Sequence, residues 1–436
     1  MMKKIFYVAG VILAMTLTAC DGNHASLVPD EYETGAFATL PESELSNNEK
    51  IFRNALIAYI NNTVFPTYEG MSSNALELAN QMDRILEAAS AGNQNDNTAL
   101  IVKAQEYWTA SRKFWEQSEA FLYGPAADYS IDPHIDSWPF DQAAFDDIIS
   151  DKAQMEALRK KMEDGTFNVS DGREFDEYGL MGYHALEYAL YRLEVTGEGE
   201  DKTTKSAPHA IGDFNLSQWT FMTAVAHDLR NQAILLEASW RGLGRVSANK
   251  QAYLKAANMT GVTYPYLYRG YAAYMLQPGV GDKKYATYQE AAEELIAGAI
   301  DIADEVGNSK IGAAANAIPG SENYEEDSKN IESPYSLHSI IDFQDNIVSI
   351  RNAFFGSNAT DASVNDFVKQ KNSGVSDLIK TKIDASIETI GAIQEPFVEH
   401  AKDAEAKNAI AVVEELQEAL KKAWQVVSGV EWTEEE

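Results

Sequence analysis

The sequence predicts an all-α protein built of helical bundles. Segments of roughly 20 residues carry apolar side chains at the spacing of one helix face, and short polar or Gly/Pro-containing stretches separate them. No extended stretch alternates apolar and polar residues with period two, and no tandem repeat recurs at a fixed period. Long helices joined by short loops pack as bundles. Because 436 residues exceed what one hydrophobic core usually supports, we expect two domains.

The apolar periodicity places the helices along the chain, and Gly/Pro-rich or polar stretches end them. A charged loop is expected over 197–210 and a long polar loop over 307–330. Glycines near 242–244 suggest the domain boundary, which gives an N-terminal bundle over 47–245 and a C-terminal bundle over 246–436. The expected helices cover 51–62, 71–91, 100–122, 178–191, 216–240, 252–275 (broken at Pro265 and Gly270), 285–306, 340–355, 375–397 and 403–427.

The first residues have the pattern of an export signal. Lys3 and Lys4 precede the apolar run Ile5 to Leu17, which is too short to span a bilayer. The sequence Leu17-Thr18-Ala19-Cys20 resembles a bacterial lipobox, in which Cys20 is lipidated. We therefore expect a signal peptide over 1–19, a lipid-anchored polar tether over 20–46 and a location in the cell envelope, at the outer membrane, the cell surface or the periplasmic face. Membrane attachment is expected through the lipid alone.

The charge balance limits the partners. The chain has 35 basic and 67 acidic residues, for a net charge of −32. Such a surface repels nucleic acid and attracts cations, so no nucleic-acid partner is expected. Cys20 is the only cysteine, which excludes an intrachain disulfide.

One stretch concentrates the chemistry. Residues 178–191 are apolar or aromatic at nearly every position, which predicts a helix buried on almost all sides. His184 and Glu187 interrupt it, and their spacing puts both side chains on one face. A buried carboxylate needs a hydrogen-bonding partner or a cation. Two interpretations stay open: the pair satisfies itself within the core, or it supplies two ligands to a metal ion.

A second helix brings acidic residues to the same domain. Trp108, Arg112, Trp115 and Glu119 follow a helical seam, and Glu116 is placed to pair with Arg112 at i+4. After this helix, the segment 132–141 holds Asp136 and Trp138 between prolines, which predicts a loop that presents its side chains. If the two helices face each other, the metal ligands are His184, Glu187, Glu116, Glu119 and Asp136. Nitrogen and oxygen donors without thiolate suit iron, manganese or zinc.

A third segment belongs to the second half of the chain. Ser336, His338 and Asp342 lie at the start of the helix over 340–355. From His338 to Asn352, polar residues recur at steps of four and three, which by itself predicts a solvated outer face. Its start is nonetheless a candidate lining for a pocket at a domain interface.

These segments resemble the imelysin-like family. Gly182-x-His184-x-x-Glu187 is similar to the GxHxxE signature of that family, and the blocks 115–121, 135–139 and 336–356 match further segments in the same order. The resemblance implies two bundle-like domains over roughly 47–430. We predict a pocket or supporting shell that includes Gly182, Arg112, Trp115, Trp138, Ser336, His338 and Asp342. The resemblance also implies two competing functions, a metallopeptidase and an exported metal-binding protein of iron uptake.

The residues favour metal binding over peptidase chemistry. A zinc peptidase of the common type needs HExxH, which is absent. The sole cysteine, Cys20, lies in the lipobox-like sequence and is therefore not expected to act as a catalytic nucleophile. The leading prediction is a metal-binding accessory protein of iron acquisition that takes iron or zinc as an ion or a metal complex and works with other iron-uptake components. The alternatives are a metallopeptidase and a non-catalytic surface binding module.

Overall fold

The computed structural model describes residues 37–92, 98–164, 179–197, 202–281, 284–321 and 323–432. Over these ranges the chain is almost entirely helical, with one two-stranded sheet, so the predicted all-α class is confirmed. The predicted signal peptide, Cys20 and most of the predicted tether lie outside the described residues.

Several helices begin at sequence signals that satisfy the first backbone amides. Ser46, Asp141, Asp151 and Asn215 each accept a hydrogen bond from the first turn of the helix that follows. The α-helices are α1 Asn47–Tyr59, α2 Phe65–Ser90, α3 Thr98–Glu116, α4 Pro125–Asp128, α5 Asp132–Ile135, α6 Gln142–Ser150, α7 Lys152–Glu163, α8 Gly182–Leu190, α9 Leu216–Arg241, α10 Ala248–Ala256, α11 Tyr271–Leu276, α12 Tyr288–Glu305, α13 Gly312–Asn316, α14 Tyr324–Asp327, α15 Ser339–Phe355, α16 Val364–Lys371, α17 Ser373–Gly391, α18 Phe397–His400 and α19 Ala404–Ser428.

The sheet corrects one expectation. Strand β1 (Tyr191–Thr196) pairs antiparallel with β2 (Thr203–Pro208), where the sequence predicted a loop over 197–210. β1 follows α8 without an intervening loop, so the hairpin is a direct extension of the helix that carries His184 and Glu187. Only Tyr191 of β1 is buried, which explains why no alternating pattern marked the strand.

Two further segments differ from expectation. The predicted polar loop over 307–330 contains a π-helical turn Val306–Lys310 and the helix α13, both with buried residues. The helix predicted to run to residue 122 ends at Glu116, and a 3₁₀ turn Glu119–Phe121 follows it. The break predicted in 252–275 is confirmed, since α10 and α11 are separated by turns.

Packing forms two groups of long helices. In the first, α2 packs against α3 and α9, and α8 packs against α3 and α9. In the second, α12 and α17 pack against α19, and α15 packs against α12 and α17. Helix α1 contacts α12 and α16, so the first described helix lies with the second group. The domain boundary near 245 stays a prediction.

The two groups meet at one junction. Helix α15 packs against α3, and the turn Glu119–Phe121 packs against both α12 and α15. This junction places the end of α3, the start of α15 and the end of α12 close to one another, and the candidate site lies there.

No helix within the described ranges is long and apolar enough to cross a membrane.

Candidate metal centre at the junction of the helices

Gly182 brings α8 onto the segment that carries Asp136. Its φ is +74°, and a Cβ atom at this position would lie 1.8 Å from the carbonyl oxygen of Ile135. Only glycine permits this backbone conformation together with so close an approach. The first position of the GxHxxE pattern therefore holds the start of α8 against the end of α5, where Asp136 follows directly.

His184 lies between two carboxylates. Its Nδ1 is 3.2 Å from Oε2 of Glu187, one turn along α8, and its Nε2 is 3.1 Å from Oδ1 of Asp136. The His184 side chain is buried, and Nε2 has no aligned hydrogen-bond partner among the described residues. The carboxylate of Glu187 thus fixes one ring nitrogen and leaves the other directed at Asp136, the arrangement by which proteins orient a metal-binding histidine.

Glu187 is tied to the second half of the chain. Its Oε1 accepts hydrogen bonds from the backbone amides of Tyr335 (2.9 Å) and Ser336 (2.7 Å) and from the Ser336 hydroxyl (2.7 Å). Because Oε2 contacts Nδ1 of His184, both carboxylate oxygens of Glu187 already have hydrogen-bond partners. These contacts favour Glu187 as the residue that orients His184. Direct coordination of a metal ion by Glu187 remains a prediction.

Arg112 joins the carboxylates of both halves. Its guanidinium pairs with Asp136, with Glu116 (2.8 Å) and with Glu332 (2.6 Å), and its Nε lies 3.4 Å from Asp342. The predicted i+4 pairing of Arg112 with Glu116 is present in the structure. Trp115 donates from Nε1 to Oδ2 of Asp136 at 2.8 Å, which places the predicted tryptophan in direct contact with the site.

Lys310 supplies a second buried cation. Its Nζ lies 2.9 Å from Oε1 of Glu332, 3.7 Å from Glu116 and 3.9 Å from Glu119. We call the six buried carboxylates at this junction the acidic cluster. Its members are Glu116, Glu119, Asp136, Glu187, Glu332 and Asp342.

The electrostatics of the cluster follow from burial and neighbouring charge. Burial alone would lower the pKa of His184, but the carboxylates of Asp136 and Glu187 raise it to about 9. Burial opposes ionisation of Asp136, yet Arg112 and His184 outweigh it and hold its pKa well below the usual range. Burial raises the pKa of Glu116 and Glu119, and that of Asp342 to about 7. Part of the cluster therefore retains protons near neutral pH.

The donor set fits a metal ion of the iron, manganese or zinc type. One ligand atom each from Asp136, His184 and Glu332 lies within 4.8 Å of the other two, as do Glu116, Glu332 and Asp342, and Glu116, Glu119 and Asp136. That separation is close to the span of two ligands about 2.1 Å from one ion. Nε2 of His184 lacks an aligned hydrogen bond and Oε2 of Glu332 has no hydrogen-bond partner among the described residues, so both are candidate ligand atoms. These residues could hold the ion, while Glu187 and Arg112 orient them.

The polar stripe of α15 corrects an expectation. The sequence predicted a solvated outer face from His338 to Asn352, but Asp342, Asp345 and Ser349 are buried. The reason is the docking of α15 against α3: Gln117 donates to Asp345 at 2.7 Å, and Ser349 accepts from the amide of Ala120 at 3.0 Å. Ile341 of the same helix is exposed.

Two predicted pocket residues lie at the margin. His338 is partly buried, its Nδ1 is 3.8 Å from Asp342, and burial lowers its pKa. Trp138 is half-buried and makes none of the polar contacts of the cluster within the described part of the chain.

Sequence reasoning missed Glu332 and Lys310. Glu332 lies four residues before the block 336–356 that resembles the family, and it was not singled out. Lys310 was assigned to a polar loop, because nothing local distinguishes a buried lysine from a solvated one.

Comparisons with known proteins identify the family of this chain and agree with its fold. The family model described as imelysin, of the M75 peptidase group, matches residues 64–423. Iron-regulated protein A of Synechococcus elongatus is 21% identical over 355 residues, which cover 81% of this chain and 79% of that protein.

Two crystal structures share the fold. A candidate iron-regulated protein A precursor from Parabacteroides distasonis superposes with a TM-score of 0.64 at 23% identity, covering 88% of this chain and 97% of that one. An imelysin-like protein from Psychrobacter arcticum gives a TM-score of 0.54 at 12% identity, with 89% and 98% covered. Because the imelysin family model matches most of this chain, and the GxHxxE residues lie at the helical junction, the chain belongs to the imelysin family.

Proposed function

We propose that this protein binds a metal ion at the acidic cluster and serves as an accessory protein of iron acquisition. The observation that carries the proposal is the buried Nε2 of His184, which is oriented by Glu187 through Nδ1, faces Asp136 at 3.1 Å and lacks an aligned hydrogen bond. A transition-metal ion takes such a nitrogen together with carboxylate oxygens. The similarity to iron-regulated protein A supports iron as the metal.

Burial favours binding over peptide hydrolysis. Every carboxylate of the acidic cluster is at most 8% exposed, and His184 is 1% exposed. A polypeptide substrate has to reach the metal ion and its bound water, so a peptidase site stays open to solvent. A small ion needs no such opening once it is bound.

Calorimetry with Fe²⁺, Mn²⁺ and Zn²⁺ tests the proposal. We expect His184→Ala to weaken binding by at least about 100-fold, because a direct ligand contributes more than the roughly 10- to 100-fold of a supporting residue. His227→Ala is the matched control, since His227 of α9 also pairs with a carboxylate, that of Asp83 in α2, at 2.9 Å, and neither residue belongs to the acidic cluster. Equal affinities for the two variants, or no metal binding by the wild type, would refute the proposal.

The metallopeptidase alternative has its own test. It requires chelator-sensitive cleavage of an unstructured peptide that disappears in Glu187→Gln while the helical circular dichroism signal persists. A chain that binds metal but cleaves nothing under these conditions supports the accessory role.

The location is part of the proposal. Export and lipidation at Cys20 would place the acidic cluster in the cell envelope, where metal ions or metal complexes and other iron-uptake components are accessible. Metabolic labelling with a palmitate analogue should mark the wild type and not Cys20→Ala. Label retained in the variant, or absent from the wild type, would contradict the lipid anchor.

A further inference from the structure

Lys310 occupies an unusual position for a lysine. Its side chain is 1% exposed and ends among carboxylates of four separate segments: α3, the turn after it, the end of α12 and the stretch before α15. Only Glu332 lies at hydrogen-bond distance, 2.9 Å, whereas Glu116 and Glu119 are 3.7 and 3.9 Å away. The ammonium group is therefore surrounded by carboxylate oxygens and makes one close contact, with Oε1 of Glu332.

The cluster has more negative than positive groups. Its six carboxylates face two permanent buried cations, Arg112 and Lys310. Even with His184 protonated, negative charge is in excess, which is costly in a low-dielectric interior.

Ligand atoms also remain unused next to Lys310. Oε2 of Glu332 is fully buried and has no hydrogen-bond partner within the described ranges, while Oε1 of the same residue contacts both Lys310 and Arg112. Buried acceptors are nearly always satisfied, so this oxygen points to a cation that the cluster can accept.

The carboxylates that face Lys310 are linked through Glu116, whose ligand atoms lie within 4.8 Å of Glu332 in one group of close ligand atoms and of Glu119 in another. Glu116 belongs to two of the three groups of close ligand atoms, and so do Glu332 and Asp136. Carboxylates shared in this way bridge two ions about 3.5–4 Å apart in dinuclear centres.

We propose that the Lys310 ammonium fills a second cation position of the acidic cluster, so that the native chain holds one metal ion, and that a neutral side chain at 310 opens a second metal site formed by Glu116, Glu119 and Glu332. The inference rests on the proposed function, because the first ion is the one placed at His184 and Asp136. Oxygen ligands alone suit hard ions such as Mn²⁺ or Fe²⁺.

The experiment counts Mn²⁺ ions in the full-length chain by calorimetry and elemental analysis. Wild type is expected to bind one ion, Lys310→Met two, and Lys310→Arg, which keeps the positive charge, one. The Lys310→Met/Glu119→Gln double variant is expected to return to one ion. Electron paramagnetic resonance gives an independent readout, since two neighbouring Mn²⁺ ions broaden the hyperfine pattern of an isolated ion.

The outcomes separate the two proposals. A wild type that binds no Mn²⁺, Fe²⁺ or Zn²⁺ refutes the proposed function. If wild type and Lys310→Met both bind one ion, the inference about Lys310 is overturned and the proposed function is not. Because loss of a buried ion pair destabilises the fold, melting temperatures are measured with and without Mn²⁺. A Lys310→Met chain that folds only with Mn²⁺ and holds two ions supports the inference, and one that stays unfolded at millimolar Mn²⁺ overturns it.

Discussion

Replacing Gly182 by alanine tests two features of this residue, its positive-φ backbone conformation and its close approach to Ile135. The positive φ of +74° costs alanine about 1 kcal/mol. The added Cβ would lie 1.8 Å from the Ile135 oxygen and 2.2 Å from its carbonyl carbon, so α8 must move by about 1.6 Å to reach ordinary contact. Backbone atoms cannot rotate away as the end of a flexible side chain can.

That movement breaks contacts that hold α8 in place. Tyr183 accepts a hydrogen bond from Trp108 at 2.9 Å, and its hydroxyl bonds that of Ser111 at 2.8 Å. The same shift separates His184 from Asp136. We expect the free energy of unfolding to fall by about 4 kcal/mol in total, in the range reached when a core site is disrupted.

Gly92→Ala is the matched control. Gly92 has the same backbone strain, with φ of +73°, but nothing lies within 4 Å of its added Cβ. We expect a loss of about 1 kcal/mol there. In urea denaturation followed by circular dichroism, the midpoint of Gly182→Ala should lie more than about 1 M below that of wild type. The free energy of unfolding typically falls by about 1–3 kcal/mol per M of urea. Metal binding should be lost in this variant alone. Midpoints that agree within about 0.2 M, with metal affinity retained in both, would refute the reasoning.

Three further outcomes follow from the cluster. Arg112→Met should destabilise the fold by about 3–5 kcal/mol in urea denaturation, because it leaves buried carboxylates without their shared cation. Arg159→Met, at a partly exposed arginine that pairs with Glu156 and Glu163, is the control; an equal loss of stability in the two variants would contradict this prediction. Ser336→Ala should weaken metal binding about 10- to 100-fold in calorimetry, since its hydroxyl supports Glu187 at 2.7 Å. Ser206→Ala, whose hydroxyl bonds the Tyr335 carbonyl, should leave the affinity unchanged, and equal losses would exclude the supporting role. The folded-state pKa of His184, raised to about 9, stabilises the metal-free protein fully below pH 6.5, and this contribution is lost as the pH rises to about 9. The loss is on the order of 3 kcal/mol; the urea midpoint of wild type should fall over this window more than that of His184→Gln, and parallel curves would rule the contribution out.

Local patterns in the sequence were sufficient for the helices and for the residues that first suggested a site. A buried histidine and glutamate on one helical turn, and Arg112 paired with Glu116 at i+4, depend only on helix geometry, which periodicity reveals. Gly182 also carries a local signal, because a glycine at a helix start marks a backbone position that other residues avoid.

Tertiary packing decided the rest, because the partners come from segments far apart in the chain. Nothing near residue 310 or 332 in the sequence shows that Lys310 and Glu332 meet Glu116 across about 200 residues, and the polar face of α15 looks solvated until α3 covers it. The hairpin formed by β1 and β2 was missed for a related reason, since its strands are stabilised by pairing with each other and bury few side chains. The helical periodicity of the sequence thus identified polar residues that are costly to bury. Only the tertiary structure determined which charged side chains lie beside them in the acidic cluster.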